Sequence, residues 1–318
     1  MFAFLKRSTK KTITHEAVNF VGKCLADLEY VAFGNDEEYI SYMQQYLKKL
    51  HKLILETENL KDRFSSRPVC YFFEYTKETD LSIIGRLGPG HDKSNRCYPF
   101  IFSRRVLNND IQKYPLFIPS LYNDFFNLSD QLLNDSLKKL ELSEFKELAF
   151  SMQTSSIYLE LKQVLKTSMS NLINCPIDNY IENLNNCSAP NNYNNLLSSW
   201  HSWRQEIINE NDLNNLLPLM LELPNNTNLH HYIAFVCQLI EPLFSKLEGY
   251  RILWWRDPIS SKAWCFITNQ GLDANKDLQL FEASLTEKIT CFSYSENIND
   301  PQPQVNNLFE ALQILTET

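Results

Sequence analysis

The sequence predicts an α+β fold: a mostly antiparallel sheet formed by N-terminal and C-terminal strands, flanked by helices, with a helical Asn-rich insertion. Three observations predict it. Strand-like runs lie early, at 69–75, 81–87 and 98–104, and again late, at 250–256 and 263–268. Between them apolar residues recur every three or four positions, the spacing of helices that bury one face. An isolated two-stranded hairpin is marginal in water, so the late pair must join the early strands in one sheet.

Taken in order, the chain starts with a basic tail at 1–15 carrying Lys6, Arg7, Lys10 and Lys11. Residues 17–33 are apolar and rich in β-formers; Gly22 breaks the run and Gly34-Asn35 closes it, which predicts a strand, a turn and a short extended piece. Asp36 is placed as an N-cap. Behind it Tyr39, Met43, Tyr46, Leu47, Leu50 and Ile54 recur at helical spacing with Lys48, Lys49 and Lys52 between them, an amphipathic helix to about Glu56. The runs at 69–75 and 81–87 are close enough for a hairpin, and a Pro-Gly turn at Pro89-Gly90 follows. A helical elaboration then occupies about 119–248, first through Leu121, Phe125, Phe126, Leu132, Leu133 and Leu137, then through Ile157, Leu159, Leu161, Leu165 and Met169. Asparagine dominates 174–226, and Trp200 and Trp203 within it argue for helix with loose loops. Helix 230–247 meets a kink or break at Pro242, Asp257-Pro258 turns between the late strands, and helices at 278–285 and 305–315 bracket a polar loop. The domain reading is one α+β domain over 16–290 and a C-terminal loop and helix over 291–318.

Composition removes several functions. With 318 residues, 44% hydrophobic and 21% charged, the chain is globular and long enough for a core without staples. Its seven glycines form neither G-x-G-x-x-G nor G-x-x-x-x-G-K-[ST], so the common nucleotide cradles are missing. A net charge of -8 gives no field toward nucleic acid or an anionic membrane. The start has no signal-peptide core, and no run reaches the length of a membrane helix, which gives an expectation of a cytoplasmic protein without membrane insertion. The eight scattered cysteines lack C-x-x-C spacing and read as reduced core residues. No cofactor or metal is expected.

The specific segment is Gly85-Arg86-Leu87-Gly88-Pro89-Gly90-His91-Asp92-Lys93-Ser94-Asn95-Arg96-Cys97-Tyr98-Pro99-Phe100. It resembles the signature P-S-x-D-x-x-G-R-x-[FY]-P of the TagF family, also called ImpM, accessory proteins of bacterial type VI secretion. Pro89, Asp92, Arg96, Tyr98 and Pro99 fall on it without a gap, while Gly90 stands for serine and Asn95 for glycine. Earlier, Gly22-Lys23-Cys24-Leu25-Ala26-Asp27-Leu28-Glu29-Tyr30-Val31 is similar to the family's G-K-L-P-[SA]-x-G-D-F-V, without its proline and second glycine. Later, Arg251-Ile252-Leu253-Trp254-Trp255 and then Gly271-Leu272 resemble its S-[LV]-W-W strand and Gly-Leu. The matches span roughly 16–285, and the length beyond the family's compact domain falls in the Asn-rich middle.

The resemblance implies a non-enzymatic accessory protein that represses or supports assembly of the secretion apparatus by protein–protein binding. Its partners would be a forkhead-associated scaffold or a membrane-complex protein. The candidate partner-binding residues are Pro89, Asp92, Arg96, Tyr98, Pro99, Trp254 and Trp255, with the 89–99 loop and the Trp254 strand expected to lie near each other. Asp92 and Arg96 read first as a local pair that orders the loop and second as a charged recognition spot. On a strand Trp254 and Trp255 face opposite sides, and core is the expectation for both. The competing function is a hydrolase using His91 with Asp92 in a cleft, although adjacent side chains diverge and no nucleophile elbow is present. His230-His231 reads as solvated or capping, and base stacking on Trp200, His201 and Trp203 has no electrostatic groove to support it.

Overall fold

A computed structural model describes residues 14–23, 29–34, 37–58, 60, 70–76, 81–94, 96–107, 122–131, 143–144, 146–147, 161–183, 193–223, 229–256, 263–269, 271–275, 277–278, 290–291 and 305–317. The β-branched and aromatic runs become β1 (Thr14–Gly22), β2 (Val31–Phe33), β3 (Cys70–Thr76), β4 (Leu81–His91) and β5 (Cys97–Leu107). The C-terminal part adds β6 (Leu219–Leu223), β7 (Gly249–Arg256), β8 (Ala263–Thr268) and β9 (Thr290–Cys291). They form one sheet of nine strands in the order β2-β1-β5-β4-β3-β7-β8-β6-β9. Every pairing is antiparallel except β6 with β9. The two halves of the chain fuse where β3 pairs β7, from Cys70 opposite Trp255 to Thr76 opposite Gly249. The expected α+β class, with early and late strands sharing a sheet, is what the chain adopts.

Side-chain alternation then sorts the sheet into two buried faces. Val21, Phe72, Ile101, Leu253 and Trp255 meet α1 (Glu37–Glu56) on one side. The α1 residues they meet are Tyr39, Met43, Tyr46, Leu47, Leu50 and Ile54, the set read from the sequence. Full burial of such side chains favours the folded state by about 1.5–3 kcal/mol each before entropy is counted. Phe20, Phe73, Ile84, Phe102, Ile252 and Trp254 face the other way into the helical elaboration. That layer holds α2 (Asn123–Gln131), α3 (Leu161–Ile173), α4 (Ile177–Asn183), α5 (Tyr193–Asn209), α6 (Leu229–Leu239), α7 (Glu241–Ser245) and α8 (Leu308–Glu317). Pro242 sits in the first turn of α7, so it breaks the run expected at 230–247 into two helices at Ile240.

Two expectations change. The strand read as ending at Leu87 continues through Pro89 to His91, and the chain reverses at 92–96 instead of at Pro89-Gly90. The β6 strand was not anticipated; Leu219-Met220-Leu221-Glu222-Leu223 is made of helix formers, and pairing with β8 overrides that propensity. As expected of a folded segment, Trp200 and Trp203 lie inside the helical core, with the Trp200 ring centroid 4.6 Å from that of Phe235. Cys70, Cys97, Cys175, Cys237 and Cys265 are free thiols, as read. Asp36, the 257–258 turn, residues 1–13 of the tail placed at 1–15 and residues 279–285 of the helix expected at 278–285 lie outside the described residues, and no described helix is long and apolar enough to cross a membrane.

Candidate functional site

Among the described residues the β4–β5 hairpin outruns its neighbours. The β3 ladder on one side starts with Cys70 opposite Leu87, and the β1 ladder on the other ends with Val21 opposite Ile101. Beyond these points Pro89 pairs Pro99, Gly90 pairs Tyr98 and His91 pairs Cys97. Asp92 N–H donates to the Arg96 carbonyl at 3.0 Å, and counting alternately from that bond puts the two prolines at a non-hydrogen-bonded pair. Their missing N–H groups would have pointed outward, where no strand remains to accept among the described residues. Prolines are tolerated there for that reason.

Asp92 organises the turn. Its side chain is fully buried: Oδ1 accepts the Ser94 and Arg96 backbone N–H groups at 2.9 and 3.0 Å. Its Oδ2 accepts Arg96 Nε at 2.8 Å and Nη2 at 2.7 Å. Desolvation is the largest influence on this carboxyl and pushes its pKa up; the N–H donors of Arg96 and Ser94 and the guanidinium outweigh it and hold the group below the ordinary aspartate value. Arg96 stays 58% exposed while being held, and Lys93 and Ser94 are exposed beside it.

Under the hairpin lies a cation–aromatic cluster that joins three separate stretches of sequence. Lys23, which follows β1, places Nζ 4.2 Å from the Tyr98 ring centroid and 5.5 Å from that of Tyr30. Tyr30 meets Tyr98 edge-on at 6.3 Å, and His51 of α1 lies 4.4 Å from Tyr98. Arg96 Cζ is 5.8 Å from the same ring. Desolvation, helped by the Lys23 charge, lowers the His51 pKa and so favours its neutral form. Two glycines permit this closeness. Gly22 has φ +156°, and a Cβ there would lie 2.4 Å from Phe100 Cδ2 and 2.9 Å from its Cα. A Cβ on Gly90 would lie 2.8 Å from the Lys23 carbonyl oxygen, a physical reason for glycine where the resembled signature has serine.

The residues of the two earlier motifs therefore converge: Lys23, Tyr30, Asp92, Arg96, Tyr98 and Pro99 occupy one end of the sheet, with Pro89 half-buried and Tyr98 and Pro99 buried. The tryptophans do not add to its surface. Trp254 is 0% exposed against Tyr71 and Phe126, and Trp255 is 6% exposed on the α1 side. Trp255 and Leu87 do flank Cys70 from opposite sides, so that strand end lies about 10 Å from the hairpin. As candidate partner contacts Trp254 and Trp255 are corrected to core, because both sheet faces are covered. His91 closes the β4 ladder opposite Cys97, and His230-His231 lies in α6.

Sequence reading missed three groups. His51 is one, sitting beside the apolar stripe of α1. The second is Arg251, 1% exposed on β7, which binds Asp277 through both terminal nitrogens, with Tyr46 O–H donating to the same carboxylate at 2.7 Å. The third is Arg86, whose Nε donates to Asp130 Oδ1 at 2.8 Å on the opposite face, where Tyr71 O–H also donates to Asp130. A lone arginine inside an apolar strand is the signal that was available for the last two.

No protein-family model matches the chain, and no curated protein matches it in sequence. Among solved structures it is similar to that of PA0076 from Pseudomonas aeruginosa PAO1, with TM-score 0.34 and 16% identity over 42% of this chain and 61% of that one. The chain thus matches less than two thirds of that protein's length, and a likeness of this size assigns neither fold nor family.

Proposed function

We propose that the protein is an accessory factor of a bacterial type VI secretion system that works in the cytoplasm by binding another protein, repressing the apparatus or supporting its assembly. The observation that carries this reading is convergence. Lys23 and Tyr30 are separated from Asp92, Arg96, Tyr98 and Pro99 by some sixty residues, yet residues matching two stretches of the TagF signature meet in one cluster under an exposed, braced hairpin. A hydrolase with His91 and Asp92 is less well supported, since both Asp92 oxygens serve the turn by accepting bonds from Ser94 and Arg96. The test is an affinity pull-down with the full chain from its source cell, identifying what co-purifies. A forkhead-associated scaffold or membrane-complex component of the secretion machine is expected; repeated recovery of no such component overturns the proposal.

A further inference from the structure

Arg96 is exposed and yet already ordered. A guanidinium has two edges able to grip an anion with paired N–H groups. Asp92 occupies the Nε/Nη2 edge through Oδ2, which leaves Nη1 and the outer N–H of Nη2 directed away from the brace. An ordinary surface arginine loses rotamer freedom when it captures an anion; here the fold has fixed that side chain in advance, so a second anion is bound at lower entropic cost. Two nearby lysines share its sign. Lys93 is exposed on the same turn and forms no ion pair among the described residues, and the Lys23 ammonium lies over Tyr98, the ring that Arg96 also approaches. Beyond the Asp92 brace, Glu29 is the acid that acts on Arg96, and it offsets part of this positive charge. On a molecule of net charge -8 this is a local cationic edge against an acidic background, an arrangement that orients an acidic partner as well as binding it.

We propose that the open edge of Arg96, with Lys93 beside it, receives a carboxylate from an acidic peptide segment of the partner. This deepens the accessory-protein reading and rests on it for the partner's identity, though not for the ligand chemistry. The experiment is fluorescence anisotropy of the full chain with labelled hexaglutamate, a hexalysine control, and a neutral peptide carrying one phosphothreonine. Wild type should bind hexaglutamate and not hexalysine, weakening as salt rises from about 50 to about 200 mM. Arg96→Gln should weaken binding about tenfold, Arg96→Lys should recover only part because an ammonium cannot grip with two parallel N–H groups, and Lys93→Gln should weaken it about threefold. Equal affinity of wild type, Arg96→Gln and Arg96→Lys overturns the proposal, as does binding of the phosphothreonine peptide without the glutamate one. The pull-down separates this from the broader reading. If wild type and Arg96→Gln capture a secretion component equally, the ligand inference fails alone. If no secretion component is captured while the glutamate binding and its Arg96 dependence hold, the accessory reading fails alone.

Discussion

Asp92 satisfies two backbone N–H groups and a guanidinium from a position with no exposed surface, so its loss strands donors that the turn cannot re-pair. Asp92→Ala should lower stability by about 1–3 kcal/mol in urea unfolding, with Asp92→Asn recovering part of it through the one remaining acceptor oxygen. The pH dependence has a definite sign. The folded pKa lies below the ordinary 3.8, so the carboxylate contributes stability above that value and loses it as pH falls through its own lower one. The gap between wild type and Asp92→Asn should therefore be full at neutral pH and close as pH falls below the ordinary 3.8 through the lowered folded value; a gap that stays constant down to acid would show that the charge plays no part. Gly22 tests the cluster from the other side. At φ +156° with Phe100 against it, Gly22→Ala should cost about 1–3 kcal/mol in strain alone and shift the Phe100 and Tyr98 resonances in aromatic NMR spectra.

Among the elements, residues 271–275 and 277–278 are held to α1 and the sheet by polar contacts. Tyr42 O–H donates to the Leu272 carbonyl at 3.2 Å, and Asp277 enters the pocket made by Arg251 and Tyr46. Breaking that ion pair leaves an uncompensated charge inside, so Asp277→Ala should cost about 3–5 kcal/mol, whereas Arg251→Met with Asp277→Leu should restore most of it. Glu74 faces Arg251 from β3, and burial, opposed by that arginine, raises its pKa above 4.5. The folded state thus binds this proton more tightly than the unfolded chain, and stability falls as pH rises from 4.5 through the raised value. Glu74→Gln should flatten that slope in melts taken across the window; an unchanged slope would place its source elsewhere. These contacts mark how far sequence reading reaches. The α1 stripe and the β3, β7 and β8 runs were legible because burial imprints a period on apolar residues. Arg251 announced a buried partner by interrupting such a run, but nothing in spacing could point to Asp277, which comes from a different element. The β4 strand was underread because Gly88-Pro89-Gly90 has turn chemistry, which the freedom of an overhanging hairpin end leaves unused. The Asp92–Arg96 pair was legible from its spacing alone; the gathering of Lys23, Tyr30 and His51 around Tyr98 depends on strand order and was not.

For the whole molecule the decisive feature is the seam between β3 and β7, because each buried face draws on strands from both halves of the chain. The face under α1 combines Val21, Phe72 and Ile101 with Met220, Leu253 and Phe266, and the opposite face combines Phe73, Ile84 and Phe102 with Leu221, Ile252 and Trp254. The C-terminus is tied in as well: Leu308 N–H donates to the Cys175 carbonyl at 3.1 Å, and Leu308, Leu312 and Leu315 of α8 are buried in the helical core. Neither half can shed its partner without exposing a sheet face to water. Chains of this length often unfold in steps, so a single cooperative transition is a demanding expectation for 318 residues. All five tryptophans, Trp200, Trp203, Trp254, Trp255 and Trp264, lie in the later part of the chain, so their fluorescence follows that part while far-UV circular dichroism follows the whole. The two signals should coincide in thermal and urea unfolding. Phe73→Ala, in an early strand with its ring buried beside Tyr250, should then shift both by an amount corresponding to about 3–5 kcal/mol. If the fluorescence transition stayed in place while the dichroism moved or divided, the seam would be an interface between two independently stable units, and the cluster around Tyr98 would belong to the earlier one alone.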